Sequence, residues 1–383
     1  MKALVYDNTK GGWSNTRGMW LTDLPKPSLG SSDTAMAIIK LRYAGFCGSD
    51  RGIWARQAFG ELIESRLQKE NKSVRIMGHE MLGEVVAVGQ DVIEKYGIRP
   101  GDIVSAESHN TCGTCYQCVA GDKHVCVKDS IIGISEDGCF AEYAKLPARV
   151  LWPTDIQKID PRVAAIQDPF GNAVHACTQT PLKDKTVAVF GCGAIGMMAI
   201  MVAKGLGCKR IIGIEPNGAN AELAKAVGAD EMIIPTASTK AESWRHDEET
   251  ILRIKEFTNG VGVDVSLEMA GFNSSVNNAI QSTRRGGHVV YFGLKAGDFI
   301  FEDFERVIRN GIQMHCVIGR QIWKTWETTR ALLEDTQNGI QEKLKTHVLK
   351  GCTGSIVKFQ EFDRETFEQT LKDYPKVVFE FWK

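Results

Sequence analysis

The sequence predicts an α/β chain built in two styles: a β-rich, barrel-like first part, then a doubly wound parallel sheet with helices on both faces. Three observations carry this. With 383 residues the chain exceeds a single core. Roughly the first 165 residues hold short strands, frequent glycines and few long helical patterns. From Thr186 onward, short apolar runs bounded by glycine alternate with stretches of helical composition.

Composition narrows the function. The apolar fraction is 43% and the net charge is −1, so no basic surface announces nucleic acid or an anionic membrane. No apolar run reaches the ~18 residues of a spanning helix. The opening "MKALVYDN" lacks the apolar core of a signal peptide and reads as a first strand. A cytoplasmic chain is expected. Its 11 cysteines form an odd, partly clustered set, which favours metal ligands and buried thiols over disulfides.

In chain order, "GFCGSD" first places Cys47 beside Ser49 and Asp50. "MGHEMLGEVVAVG" then sets His79 and Glu80 ahead of an apolar strand. Between them lies "RQAFGELIESRLQKENKSVR" (Arg56 to Arg75), of helical composition and mixed charge. Cysteine, histidine and carboxylate are the ligands of open zinc sites, but spacing alone does not bring scattered ligands together. Without convergence, Cys47 is a small buried thiol and His79–Glu80 a hydrogen-bonded pair near a turn.

"HNTCGTCYQCVAGDKHVC" follows, with Cys112, Cys115, Cys118 and Cys126 spaced C-x2-C-x2-C-x7-C. Four thiolates close a tetrahedral shell and leave no position for substrate, so a structural zinc is expected. An iron–sulfur cluster and metal-free thiols are the alternatives; the spacing differs from a ferredoxin run. "QDPFGNAVHA" then presents Asp168 shortly before the nucleotide half.

"TVAVFGCGAIGMMAIMVAKGLGCKRIIGIEPN" reads strand, glycine-rich turn, helix, strand. Gly191, Gly193 and Gly196, with Ala194 and Ile195 between them, form G-x-G-x-x-G at the helix start. This is the Rossmann fingerprint in its required context. Glu215 ends the second strand, where an acidic side chain accepts from a ribose diol and repels a 2′-phosphate, so NAD is favoured over NADP. A surface glutamate at a strand end is the other reading. "VDVSLEMAG", "GHVVYFG" and "MHCVIG" supply further strands, placing the doubly wound sheet at 171–319. His175, His315, Trp323 and Trp326 are expected to serve packing. Cys139, Cys177, Cys192, Cys208, Cys316 and Cys352 are expected to pack as small hydrophobes.

Cys47, His79–Glu80, the four-cysteine lobe, "RPGDIV" and the glycine fingerprint, in this order, resemble the zinc-dependent medium-chain alcohol dehydrogenase family over nearly the whole length. "GCFAEY", "DPFGNAVH" and "GRQIWKTW" resemble its L-threonine 3-dehydrogenase subfamily most. The resemblance implies a GroES-like β-barrel catalytic domain with a zinc lobe (1–170), a Rossmann NAD-binding domain (171–319) and a C-terminal return to the catalytic domain (320–383). It implies two zinc ions and NAD. Cys47 and His79 become catalytic-zinc ligands, Glu80 a ligand or one alternating with water, and Asp168 a further ligand. Ser49 would bond the substrate hydroxyl, Asp50 would orient His79, and His109 would either face substrate or stand in a solvent-exposed loop. The implied reaction is hydride transfer from a small secondary alcohol to NAD, in a homodimer or homotetramer.

The resemblance has departures. Gly52 stands where the subfamily usually has histidine, five residues after the zinc cysteine, and "CGSDR" is closer to zinc-dependent glucose dehydrogenases. The Arg56–Arg75 stretch is an insertion, expected near the active-site mouth. A sugar, inositol or polyol dehydrogenase is therefore the second reading, and a non-catalytic NAD-binding protein of the same fold the third.

Overall fold

The computed structural model describes residues 1–235, 244–294 and 297–382. Two units follow from internal packing: residues 1–169 with 349–383, and residues 170–348.

The first unit is organised by the long strand Met36–Phe46. Eight of its eleven residues are buried, because it is covered on both faces. It pairs antiparallel with Glu80–Val88, Tyr143–Pro147 and the C-terminal strand Val377–Glu380. The hydrogen-bonded path continues to Ile103–Ala106 and Leu151–Pro153 at one end and to Ile356–Lys358 at the other. A separate sheet holds Trp20–Asp23, Lys2–Asp7 and Val74–Ile76. Aromatic packing ties the C-terminal segment to the strand ahead of Cys47. Phe46 stacks on Phe140 at 5.5 Å between centroids and meets Phe367 edge-on at 5.1 Å.

The second unit holds a six-stranded parallel sheet. In order across it run Glu231–Ile233, Arg210–Ile214, Thr186–Phe190, Val263–Glu268, Thr283–Tyr291 and Gln313–Cys316. Numbered from Thr186–Phe190 this is 3-2-1-4-5-6, the order of a dinucleotide-binding fold, whose reversal of direction at strands 1 and 4 opens a crevice for ligand. Val187 to Phe190 are all buried, as a central strand with helices on both faces requires.

The expected return at residue 320 begins only at Leu349. Residues 320–348 stay with the nucleotide unit because their apolar side chains pack there. Leu332 and Ile340 lie so close to Gly205 that a methyl group at that position would approach them at 3.0 and 3.3 Å. Trp326 is buried, as expected for packing. Two cysteines depart from expectation: Cys316 is exposed and Cys352 half-buried, the first because it lies on the outermost strand of the sheet. His315, on that strand, meets the ring of His288 at 3.1 Å (Nε2 to Nδ1) rather than an apolar core.

The insertion forms the helix Gly60–Glu70. Ile63 and Leu67 are fully buried in the core of the first unit. Glu64 accepts from the Tyr6 hydroxyl at 2.8 Å and from the Trp13 amide at 3.2 Å. Arg56 stacks over the rings of Tyr6 and Trp13 and donates to the carbonyls of Ile53 and Gly18. These contacts fasten the insertion to the first strand and the loop after it.

Candidate active site and cofactor site

Cys47 directly follows the long strand and caps the helix Gly48–Trp54. Its backbone N–H donates to Asp50 Oδ2 at 2.9 Å, which fixes the turn on which the thiol is presented. His79 and Glu80 lie at the start of Glu80–Val88, whose Glu80 is paired with Gly45 on the long strand. The ligand atoms of Cys47, His79 and Glu80 all lie within 4.8 Å of one another. Convergence, which spacing left open, is thus present in the fold.

The electrostatics suit a cation. Asp50 is fully buried, and burial above all pushes its carboxyl up to about 6, against the pull of the His79 charge and the Cys47 N–H. Burial disfavours a charged His79, yet Asp50, the Cys47 charge and a Cys47 hydrogen bond outweigh it and push the imidazole up to about 10. Asp168 adds to that pull. His79 Nδ1 is buried without a hydrogen-bond partner, and its distance to Asp50 Oδ1 is 3.8 Å, too long for the bond expected between them. The donor set that fits zinc is the thiol of Cys47, one imidazole nitrogen of His79 and the carboxylate of Glu80.

Two other expected members are placed differently. Ser49 Oγ lies 3.3 Å from His79 Nε2, so its present neighbour is the imidazole. Asp168 is buried on the helix Gln167–Cys177 and close enough to act on His79 through charge, but falls outside the three-residue group. His109 is on the short strand His109–Asn110, its Nδ1 held by Asp129 Oδ2 at 2.9 Å.

One participant went unrecognised in the sequence. Lys376, only 3% exposed, sends its ammonium to Glu80, with Nζ 2.6 Å from Oε1 and 2.5 Å from Oε2. It also donates to the carbonyl of Phe46 at 3.2 Å. Arg51, on the helix that Cys47 caps, binds the carbonyls of Leu371, Tyr374 and Pro375 and so docks the segment carrying Lys376. Gly45 makes room for the pair: a Cβ there would sit 2.0 Å from Glu80 Oε2. A lysine before an apolar strand carries no local signal of burial; only the pairing of Val377–Glu380 with the long strand brings it to Glu80.

The four-cysteine lobe forms a second group. Neighbouring sulfurs are 3.5 to 4.0 Å apart. Four sulfurs at ~2.3 Å around zinc stand about 3.8 Å from each other, so the spacing fits a tetrahedral ion. The backbone N–H groups of Thr114 and Cys115, with the Thr114 hydroxyl, hold the Cys112 thiol down at about 5, toward the thiolate a metal needs.

In the nucleotide unit, Gly193 caps the helix Ala194–Gly205. Gly191 has φ +86° and packs on Ala270, and Gly196 closes on the Gly191 carbonyl, where a Cβ would come within 2.0 Å. A Cβ on Gly193 would meet nothing within 4 Å. Two glycines thus serve close packing, and the third leaves open space before the helix N-terminus, as a pyrophosphate requires. Glu215 is buried rather than a surface residue. Its Oε2 accepts from the Cys192 N–H at 2.7 Å and its Oε1 from the Asn217 N–H at 2.9 Å. It therefore also locks the glycine turn to the end of the second strand.

Comparison with known proteins agrees with this geometry. Residues 33–156 match the alcohol dehydrogenase GroES-like domain and residues 194–335 the zinc-binding dehydrogenase domain. L-threonine 3-dehydrogenase of Pyrococcus horikoshii is 36% identical over 329 residues, covering 86% of this chain and 87% of that protein. The chain belongs to the zinc-dependent medium-chain alcohol dehydrogenase family. The L-threonine 3-dehydrogenase of Streptomyces coelicolor is likewise 36% identical, over 87% of this dehydrogenase and 89% of its own length. Among solved structures, 2R,3R-butanediol dehydrogenase from Bacillus subtilis superposes with a TM-score of 0.79 at 21% identity, covering 100% and 99% of the two chains. Galactitol-1-phosphate dehydrogenase from Escherichia coli does so with 0.78 at 22% identity over 100% of both. At such identities the two structures speak for the fold, a GroES-like part joined to a Rossmann part. This dehydrogenase is a zinc- and NAD-dependent oxidoreductase of alcohols. Among the described residues no helix is long and apolar enough to cross a membrane.

Proposed function

We propose that this dehydrogenase oxidises a small secondary alcohol bearing a second polar group, with L-threonine as the first substrate to test. The observation that carries the reading is the convergence of Cys47, His79 and Glu80 in a chain 36% identical to L-threonine 3-dehydrogenases. Cys47, His79 and Glu80 would hold the catalytic zinc with Asp168 beside them, and Cys112, Cys115, Cys118 and Cys126 the structural one. Gly191, Gly193, Ala194, Ile195, Gly196 and Glu215 would hold NAD. When bound, zinc supplies Lewis acidity to the alcohol hydroxyl and NAD takes up the hydride. Ser49 has a hydroxyl beside the ligand group with which to receive the substrate proton. Asp50, buried and close to His79, keeps the imidazole in an anionic surrounding that favours a bound cation. His109, steadied by Asp129, is the second polar group proposed to face substrate.

A sugar, inositol or polyol is the second reading, and Gly52 favours it. A Cβ at Gly52 would stand 3.0 Å from the Ala58 side chain at the start of the insertion, so any larger residue there crowds that turn. The histidine usual in threonine dehydrogenases would have to displace Ala58 by a few tenths of an ångström there. NADH formation with L-threonine, aldoses and cyclitols separates the readings. Threonine turnover that falls in His109→Ala through a raised KM supports the first; turnover of a cyclitol or aldose with none of threonine replaces it with the second.

We also infer a cytoplasmic homodimer or homotetramer. Gln313–Cys316 is the outermost strand of the Rossmann sheet, and Met314, Cys316 and Ile318 on and beside it are exposed. An unpaired edge bearing apolar side chains is suited to pairing with a second copy. Sedimentation showing a monomer at working concentration would remove this inference.

A further inference from the structure

Among the described residues the Glu80–Lys376 pair is a charge pair with both side chains buried. Glu80 is 0% and Lys376 3% exposed. Taking two such charges out of water is costly, and only close geometry offsets it. The lysine is firmly placed: it bonds the Phe46 carbonyl just before Cys47, and Arg51 fixes the segment that precedes it. The same Glu80 carboxylate belongs to the group with Cys47 and His79. One carboxylate therefore faces two cations, a resident ammonium and the metal that this group would hold.

We propose that Lys376 is a positioning residue that competes with the metal for Glu80, weakening Glu80 as a ligand and setting how tightly the site holds zinc. This rests on the reading of Cys47, His79 and Glu80 as metal ligands. The direction follows from charge. Lys376 is the cation directly bonded to Glu80 in the structure. Remove it, and the metal becomes the partner that neutralises the buried carboxylate. Whatever the ammonium withholds from the metal, the metal withholds from the ammonium, because coupling between two sites is reciprocal. Electrostatic repulsion between the ammonium and a divalent cation acts in the same direction.

The test uses the full chain with Lys376→Met, which keeps length and removes charge, and Lys376→Arg, which keeps charge. Zinc affinity is read by chelator competition, and stability by thermal unfolding with and without zinc. Metal-free Lys376→Met should be less stable than metal-free wild type, with a larger gain on adding zinc. Its catalytic-site affinity should rise about tenfold or more, the scale on which groups around ligands tune metal sites. Lys376→Arg should stay near wild type. With cobalt in place of zinc, the visible bands of Lys376→Met should shift as Glu80 turns fully to the metal. If Lys376→Met fails to fold, Glu80→Gln and Glu80→Gln with Lys376→Met keep the question open to measurement, since neither buries a lone carboxylate. Zinc affinity should then respond to Lys376 much less than it does when Glu80 is present, since only the repulsion remains. Unchanged or weaker zinc binding in folded Lys376→Met, or an equal effect of Lys376→Met with and without Glu80, would overturn the proposal. Wild type that takes up zinc only at the four-cysteine lobe would overturn the reading of the ligand group itself.

Discussion

Glu215→Gln separates two roles that the structure gives one side chain. The carboxylate accepts the Cys192 N–H at 2.7 Å and the Asn217 N–H at 2.9 Å. The amide keeps one acceptor and presents an N–H to the other donor, so one of the two bonds is lost. A hydrogen bond to a charged group contributes about 1.5–3 kcal/mol. At about 2–4 °C per kcal/mol for a domain of this size, the melting temperature should fall by about 3–12 °C. If the free lone pairs also accept from the ribose diol, NAD binding weakens on the same scale, about tenfold to a hundredfold. Loss of the negative charge should simultaneously ease NADP, narrowing the ratio of kcat/KM for NAD over NADP by at least about tenfold. Thermal unfolding and steady-state kinetics with both cofactors read the two effects separately. A lowered melting temperature with an unchanged cofactor ratio would refute the ribose role and leave Glu215 as a lock on the glycine turn.

Further expectations concern the metal sites and one histidine pair. Cys115→Ser should lose the lobe ion, reducing bound zinc from two per chain to one, with a lower melting temperature; full zinc content by elemental analysis would contradict the site. Gly45→Ala places a methyl 2.0 Å from Glu80 Oε2 and should push the carboxylate off Lys376. A loss of up to about 3 kcal/mol in denaturant unfolding is expected, and wild-type stability would show that the strand absorbs the methyl group. Burial first, then the charges of His315 and Arg284, hold His288 below the usual histidine range. The unfolded chain therefore binds its proton more readily than the folded one. Stability should decline as pH falls below about 6.5, and His288→Gln should flatten that decline in melting curves. An identical slope in the variant would exclude the pair as the cause.

Much of the nucleotide half was legible because its signals are local. The run Thr186–Phe190, the three glycines and Glu215 lie within one βαβ unit, and a parallel sheet follows from the alternation of strands and helices, whereas the 3-2-1-4-5-6 order across it is seen only in the structure. The four-cysteine lobe was legible for the same reason. The catalytic group was harder: Cys47 and His79 are 32 residues apart in sequence, and nothing in either stretch states that they meet. Family resemblance supplied that, and the pairing of Gly45 with Glu80 is its physical cause. Lys376 was illegible, since it reaches Glu80 across 296 positions through a strand that pairs only after the nucleotide unit has intervened. The exposure of Cys316 was missed because a short apolar strand reads alike at the centre and at the edge of a sheet.

The most direct test of zinc-dependent alcohol oxidation at Cys47, His79 and Glu80 is zinc content measured alongside NADH formation in Cys47→Ser. The expected result is a folded protein that keeps the zinc of the four-cysteine lobe, loses the other, and forms no NADH from the substrate wild type uses. Full zinc content with undiminished NADH formation in Cys47→Ser would contradict it.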